Sequence, residues 1–315
     1  MADYREVATR LLTENMNAAP GETLLVVTDT DTNHIGRALF EAGVDLGLDS
    51  GLFEIPPMER NGMEPPESVA RAMESADVVV CPTSASLTHT RAREAATEAG
   101  ARVATMPGIT DQMFSAGAIT ADYEEVERLT AALTEKLTAA DEARIESGGA
   151  SATMSLSGRD GIPSDGIIAA PGDSGNLPSG ESYVAPVEGT ATGTLVFDGG
   201  LAGVSVLDDP LTVELDAGHI TSVEGAAADE FLDATSGDDC ARRVCELGLG
   251  TNPAASIIGT VLEDEKVYGT CHVAFGDNLG FGGTIDCDSH LDGVILEPTV
   301  SLDGDVVVAD GEVRV

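Results

Sequence analysis

The 315-residue chain contains no tryptophan and only two lysines, Lys136 and Lys266. It also lacks any run of 18 apolar residues, as a membrane-spanning helix would need. The first residues do not combine a basic segment with an apolar stretch, so no secretory signal peptide is expected. These absences predict a cytoplasmic protein that has no membrane partner.

Cysteine is scarce, and its spacing argues against two kinds of site. The five cysteines are odd in number and include no Cys-x-x-Cys pair, which disfavours a disulfide framework and a thiolate zinc site. We expect most of them to be small buried apolar residues. They are Cys81, Cys240, Cys245, Cys271 and Cys287.

Nucleotide-binding and nucleic-acid-binding motifs are missing as well. The first apolar run leads into Val27-Thr-Asp-Thr-Asp-Thr-Asn-His34, not into Gly-x-Gly-x-x-Gly, and no Gly-Lys-Ser/Thr follows a glycine-rich loop. The 16 basic residues form no stripe that could neutralise phosphates. Neither a dinucleotide cofactor nor a nucleic-acid partner is expected.

Acidic residues dominate the composition. The chain has 55 Asp and Glu against 16 Lys and Arg, a formal net charge of −39. The acids are spread along a chain that is 42% hydrophobic, which disfavours a disordered acidic tail or a single docking face for a basic partner. At about 1 M salt the Debye length falls to about 3 Å, so the self-repulsion of such a surface is screened. The composition therefore predicts a halophilic protein.

The first part of the chain, residues 1–148, has the pattern of an α/β domain. Short apolar runs alternate with segments of helical periodicity, as in a parallel sheet covered by helices on both faces. The predicted strands are 23–27, 51–55, 77–81 and 102–106, and the predicted helices are 33–46, 66–75, 90–99 and 122–145.

Residues 149–315 have a different residue pattern, which predicts a second, β-rich α+β domain. Short β-prone runs at 152–156, 193–196, 211–215 and 294–302 are separated by Gly, Asp and Pro. One helix is predicted at 239–247, ended by Gly248. The predicted fold class is a parallel α/β layer domain followed by a β-rich metal-binding domain.

Two of the five histidines lie in one glycine-rich block near the end of this second domain. His290-Leu-Asp292 places an imidazole and a carboxylate two residues apart, on one face of a strand, and His272 lies on a separate run. These three residues predict a metal site. Polar residues in a turn-rich region would produce the same spacing, so spacing alone leaves both interpretations open.

Two acidic residues stand in unusual apolar or Gly/Pro surroundings. Glu181 follows Leu177-Pro-Ser-Gly, and Glu246 begins Glu-Leu-Gly-Leu-Gly-Thr-Asn-Pro. A carboxylate held away from water must be paired or must bind a cation. In so acidic a chain, any one Glu is also expected on the solvated surface.

Four phrases of this sequence together resemble the aminopeptidase T family of metallopeptidases. They are Leu-Pro-Ser-Gly-Glu, Glu-Leu-Gly-Leu-Gly-Thr-Asn-Pro, Gly-Thr-Cys-His-Val-Ala-Phe-Gly and Phe-Gly-Gly-Thr-Ile-Asp-Cys-Asp-Ser-His-Leu-Asp-Gly, in order through residues 176–300. Ser86-Leu-Thr-His-Thr-Arg-Ala-Arg and Met106-Pro-Gly-Ile-Thr extend the resemblance into the first domain.

The resemblance implies a haloarchaeal, homodimeric metallo-aminopeptidase that acts on small peptides. Its divalent metals, one or two ions of Zn, Co or Mn, would activate water. Glu181 or Glu246 would relay a proton, and His89 would be a catalytic or substrate-contacting residue. The implied metal ligands are Glu181, Glu246, His272, His290 and Asp292.

One departure from the peptidase pattern favours a different activity. The peptidases carry a tyrosine ligand shortly after the first histidine, where this chain has Asp277, Asn278 and Leu279. A related branch comprises ring-opening dioxygenases for dihydroxypyridine, which hold a single non-haem Fe(II) ion. Two histidines and one carboxylate are the ligands of many such oxygenases. A closed metal site that only stabilises the second domain is the third interpretation.

Overall fold

The structure, a computed structural model, describes residues 3–315. Its helices are α1 (Tyr4–Arg10), α2 (Asn33–Asp45), α3 (Glu67–Glu74), α4 (Arg91–Glu98), α5 (Asp111–Ala116), α6 (Tyr123–Ala139), α7 (Ala228–Ala234) and α8 (Val261–Asp264). Its strands are β1 (Thr23–Asp29), β2 (Asp49–Ile55), β3 (Val78–Thr83), β4 (Arg102–Pro107), β5 (Glu142–Ser147), β6 (Ala150–Ser155), β7 (Ile162–Ser164), β8 (Ser174–Asn176), β9 (Glu181–Val184), β10 (Thr192–Phe197), β11 (Gly200–Leu201), β12 (Ser205–Val206), β13 (Leu211–Asp216), β14 (His219–Glu224), β15 (Val244–Gly250), β16 (Cys271–Gly276), β17 (His290–Ile295), β18 (Thr299–Leu302), β19 (Asp305–Ala309) and β20 (Glu312–Val313). No helix in this described range combines the length and the apolar character that crossing a membrane requires.

The first unit is a parallel sheet with helices. Its strands are ordered β2-β1-β3-β4-β8, and every neighbouring pair is parallel. The central strands β1 and β3 are apolar and buried almost throughout, as expected for strands covered on both faces. The predicted strands and the helices α2, α3 and α4 are confirmed within a few residues at each end.

The second unit contains two antiparallel sheets that share one apolar core. An eight-stranded sheet has the order β14-β13-β10-β6-β5-β18-β19-β20, and a seven-stranded sheet has the order β12-β11-β17-β16-β15-β9-β7. Phe197 of the first sheet and Phe275 of the second meet edge to face, with ring centroids 6.2 Å apart. The predicted fold class, a parallel α/β domain and a β-rich domain, is confirmed.

The sequence predicted a domain boundary at residue 148, and the two units of the structure divide the chain at other positions. The first unit extends to Tyr123 and takes in Gly166–Ser179, and the second comprises Glu124–Asp165 and Gly180–Val315. The reason is strand pairing. β5 and β6 form a hairpin in the eight-stranded sheet, whereas β8 returns to pair with β4 in the parallel sheet.

Two predicted helices are wrong in part or in full. The helix predicted at 122–145 ends at Ala139, because residues 142–147 alternate exposed and buried side chains with the period of a strand. The helix predicted at 239–247 is a short 3-10 turn, Asp239–Arg242, followed by β15. Every residue of β15 is buried, so its glycines lie inside a strand and do not end a helix.

The expectation for cysteine also needs correction. Cys81, Cys245 and Cys271 are free and buried, as expected, but Cys240 and Cys287 form a disulfide. The two residues are 47 positions apart. They lie just before β15 and β17, which are both antiparallel to β16 and therefore begin at the same end of the sheet. Sequence spacing carries no trace of this pairing.

A buried arginine in the first unit yields a stability prediction. The guanidinium of Arg102 donates to the carbonyls of Met16 and Asn17, both at 2.8 Å, and to Glu22 at 2.6 Å. We expect Arg102→Met to lower the free energy of unfolding by about 2 to 3 kcal/mol, because buried carbonyls lose a charged donor. Arg71→Met, at an exposed pair with Glu67, should cost about 0.5 kcal/mol or less. Denaturant unfolding in molar KCl measures both, and equal losses would contradict the argument.

Candidate metal centre

The five ligands implied by the sequence resemblance lie on one face of the seven-stranded sheet. Paired residues of antiparallel strands point to the same face. Gly250 pairs with Glu181, Gly248 with His272, Ala274 with both Glu246 and Asp292, and Gly276 with His290. The register therefore brings together residues that lie on four different strands.

The alternation of these strands separates the site from the core. Residues between the polar ones, such as Leu247, Val273 and Phe275, point to the opposite face and join the apolar core of the second unit. The same period of two directs Glu246, His272 and Asp292 to the site face. The predicted placement of His290 and Asp292 on one strand face is confirmed by β17.

Small residues leave the room that these side chains occupy. Each polar residue is paired with glycine or alanine on at least one neighbouring strand. A methyl group added to Gly248 would overlap the imidazole of His272, and one added to Gly250 would overlap the backbone of Val267. In the phrase Glu-Leu-Gly-Leu-Gly, leucines of the core thus alternate with glycines whose positions leave no room for a side chain.

Glu246 lies between the two histidines. Its Oε1 is 3.3 Å from His272 Nε2, and its Oε2 is 3.3 Å from His290 Nε2. His290 Nε2 is also 3.5 Å from Asp292 Oδ1, and His272 Nε2 is 3.4 Å from Glu181 Oε2. Both Nε2 atoms and an oxygen of each carboxylate therefore converge on one region.

The donors in this region fit a divalent metal. Glu246, His290 and Asp292 form one group whose ligand atoms lie within 4.8 Å of one another, and Glu181, Glu265 and His272 form another. Glu181 Oε2 and Asp292 Oδ1 are buried and have no hydrogen-bond partner. Because a buried carboxylate oxygen without a donor is costly, a cation is the group that these atoms lack.

The ring of His290 is held with one nitrogen towards the site. Its Nδ1 lies 2.8 Å from the carbonyl oxygen of Asp277, to which it donates, and this leaves Nε2 as the lone-pair nitrogen. The ring of Phe281 meets it edge to face at 6.0 Å. Such a second contact is what orients histidine ligands in metal sites.

The positions that replace the peptidase tyrosine have a structural role. Asn278 is buried, its Oδ1 accepts from the Ile285 amide at 2.8 Å, and its Nδ2 lies 3.3 Å from the Cys245 carbonyl. Leu279 is exposed. Among residues 3–315, the groups of possible metal ligands include no side chain from positions 277–279. These positions therefore supply no ligand in place of the tyrosine.

Lys266 and Glu265 belong to the site although the sequence analysis did not single them out. The ammonium of Lys266 lies 2.6 Å from Glu181 Oε1 and also contacts Glu265 Oε1. Only 1% of its side chain is exposed. A signal was present in the sequence, since one of only two lysines in the chain lies six residues before His272.

Burial and charge pairing set the proton affinities of the cluster. Burial alone would raise the pKa of Glu246, but its bonds to His272 and His290 lower it to about 2. Burial alone would lower the pKa of His272, but Glu246 and Glu181 raise it to about 9, and the pKa of His290 is raised by Asp292 and Glu246. Burial raises the pKa of Glu265 to about 8. Without metal, both imidazoles therefore carry protons at neutral pH.

A small cavity lies against two carboxylates of the cluster. It has a volume of about 230 Å³, and its wall includes Glu265 and Asp292. The rest of the wall is largely the backbone and small side chains of residues 200–205 together with Val261 and Val294. Pockets for drug-sized ligands measure about 300–1,000 Å³, so this one suits a molecule of about one ring.

Known proteins similar to this chain fall into two groups. The model of the NicX family, 2,5-dihydroxypyridine 5,6-dioxygenase, matches residues 8–315. The chain belongs to this family. A 2,5-dihydroxypyridine 5,6-dioxygenase of Pseudomonas putida is 28% identical over 158 residues, which span 45% of this chain and 45% of that protein.

Two solved structures share the fold of this chain. The structure of the Pseudomonas putida 2,5-dihydroxypyridine dioxygenase has a TM-score of 0.83 at 20% identity, over 99% of this chain and 96% of that chain. AmpT of Thermus thermophilus has a TM-score of 0.73 at 16% identity, over 99% of both chains. The resemblance to aminopeptidase T is thereby confirmed as a shared fold, while the NicX family corresponds to the dioxygenase branch that the sequence offered as its alternative.

The remaining histidines are His34, His89 and His219. His89 is exposed, in the turn before α4 of the first unit, and its catalytic role stays a prediction. His34 contacts Asp111, also in the first unit, and His219 Nδ1 lies 3.9 Å from Asp239. His34 and His219 thus pair with carboxylates outside the cluster.

Metal uptake should release protons. Because His272 and His290 are protonated in the metal-free NicX-family chain at pH 7 and must be neutral as ligands, we expect about two protons per metal ion. Affinity should then rise about a hundredfold per pH unit between pH 6 and 8 and level off only above the pKa values of both histidines. Calorimetry in buffers of different ionisation enthalpy counts these protons. His290→Gln should reduce the count to about one and His34→Gln should not, whereas uptake without proton release would contradict the assignment.

The empty position at Gly248 yields a second prediction. In Gly248→Ala, the added methyl must displace the imidazole of His272, so we expect metal affinity to fall by at least about tenfold. Gly237→Ala is the matched control, because nothing lies near its added methyl. Competition with a chromophoric chelator measures both affinities, and equal affinities would show that the clash is relieved without moving the ligand.

Proposed function

We propose that this chain is a mononuclear non-haem Fe(II) dioxygenase that cleaves the ring of a dihydroxylated pyridine. The observation that carries the proposal is the NicX family match over residues 8–315. The donor set supports it, since two histidines and a carboxylate with open positions are characteristic of Fe(II) oxygenases. His272, His290 and Asp292 supply that set.

The same residues have defined tasks in this proposal. His272, His290 and Asp292 would hold the iron, and Glu246, ionised between the two imidazoles, would compensate its charge. When bound, the iron supplies the redox chemistry with dioxygen that amino-acid side chains lack. The carbonyl of Asp277 keeps His290 in the orientation that binding needs.

The cavity beside the cluster is the proposed substrate site. Apart from one serine and three carboxylates, its wall consists of glycine, alanine, leucine and valine, which would bind a flat ring and exclude water from it. Glu265 lines this wall, and burial raises its pKa to about 8, so the fraction of Glu265 that is ionised near neutral pH can take up a proton. We assign Glu265 the proton that a substrate hydroxyl gives up on binding.

A metallo-aminopeptidase is the second candidate, and one observation favours it. Glu181, Glu265 and His272 form a second group of donors beside the first, as a pair of metal ions would require. In that case a metal-activated water would attack the peptide carbonyl, with Glu181 or Glu246 relaying the proton. Zn, Co or Mn would then be the working ion.

One reconstitution experiment separates the two candidates. The protein is loaded anaerobically in molar KCl with Fe(II), or with Zn, Co or Mn, and assayed with 2,5-dihydroxypyridine and with leucyl dipeptides. We expect oxygen uptake that depends on the pyridine and on Fe(II), with at least a hundredfold loss in His290→Gln and Asp292→Asn. His219→Gln, outside the cluster, should keep full activity.

Either result has a clear meaning. Pyridine-dependent oxygen uptake without peptide cleavage supports the dioxygenase and excludes the peptidase. Dipeptide hydrolysis with Zn, Co or Mn, and no oxygen uptake with Fe(II), would reverse the proposal.

A further inference from the structure

Lys266 is an unusual residue for its surroundings. The chain replaces lysine almost entirely by arginine and keeps two lysines, Lys136 and Lys266. Lys136 is exposed on α6, as lysines usually are. Lys266 is buried among carboxylates and is one of the largest side chains that are fully enclosed in the described part of the chain.

The contacts of Lys266 use up carboxylate oxygens that a metal would otherwise bind. Its Nζ donates to Glu181 Oε1 at 2.6 Å and to Glu265 Oε1. Glu181 retains Oε2, which is 3.4 Å from His272 Nε2. The ammonium thus lies between both carboxylates of one of the two donor groups.

The other donor group has no such cation. This group consists of Glu246, His290 and Asp292, and His272 contacts it through Glu246. In the described residues 3–315, Lys266 forms no hydrogen bond or ion pair with any of these four residues. A divalent ion in this group meets only imidazoles and carboxylates. A second divalent ion, at Glu181 and Glu265, would face a positive charge already bound there.

Lysine is well suited to lie between two buried carboxylates. An ammonium is a compact point charge with three donors, closer in shape to a bound cation than the planar guanidinium that the chain uses elsewhere. The buried ammonium compensates one of the two carboxylate charges from a position between them, and removing it would leave both without a cation.

We propose that Lys266 is an internal cation that occupies the place of a second metal ion and restricts the centre to one divalent ion, held by His272, His290 and Asp292 beside the charge-compensating Glu246. This inference rests on the proposed function and deepens it. A centre limited to one ion is suited to oxygen chemistry on a ring, and it lacks the ion pair of a two-metal hydrolase. Lys266 acts here as a positioning residue, through the carboxylates that it binds.

Metal stoichiometry tests the role of Lys266. The full-length protein is dialysed against excess Mn(II) in molar KCl, and bound manganese is counted by elemental analysis. Wild type and Lys136→Gln should bind one ion per chain. Lys266→Gln and Lys266→Met should bind two, and their paramagnetic resonance spectra should show the spin coupling of a neighbouring pair. Damage to the fold removes metal and does not add a second ion, so a gain is specific to the proposed role.

The outcomes separate this inference from the proposed function. Two coupled ions in wild type would overturn it whether or not the variants fold, and so would a single ion in folded Lys266→Gln and Lys266→Met. One ion in wild type together with two in either variant supports it. Oxygen uptake is measured separately, so one bound ion without ring cleavage would refute the dioxygenase and leave the role of Lys266 standing.

Discussion

The centre of the second unit depends on compensating negative charge inside a sheet. Three of its four carboxylates are buried and the fourth is mostly so, and ionised carboxylates taken out of water cost several kcal/mol each unless they are paired. One lysine and two imidazoles supply the compensation that the chain itself offers. The carboxylates are Glu181, Glu246, Glu265 and Asp292. Metal affinity is therefore built into the charge balance of the fold, and protons take the place of the metal when it is absent.

The period-two pattern of the sheet lets one set of strands serve both stability and chemistry. On β15 and β16, alternate residues build the core shared by the two antiparallel sheets, and the residues between them carry the site. Rigid central strands hold ligands more firmly than loops do. His290, at the start of β17, is the exception, and the carbonyl of Asp277 and the ring of Phe281 hold it in place.

Local patterns in the sequence predicted much of this architecture, and long-range pairing explains what they missed. The strands of the parallel sheet are continuous apolar runs, and His290-Leu-Asp292 shows its shared face directly. β15 was mistaken for a helix because its glycines resemble a helix end, although they make room for His272. Lys266 looks like a surface residue until its 85-residue separation from Glu181 is closed by the fold. The disulfide was hidden for the same reason.

The interleaving of the two units affects the order in which the chain folds during synthesis. The parallel sheet is complete only when β8 has been made, and β5, β6 and β7 of the second unit are synthesised before it. Among these early strands, β5 must wait for β18, β6 for β10 and β7 for β9. Neither unit corresponds to one continuous stretch of the gene, so neither can be produced whole by shortening the chain from one end.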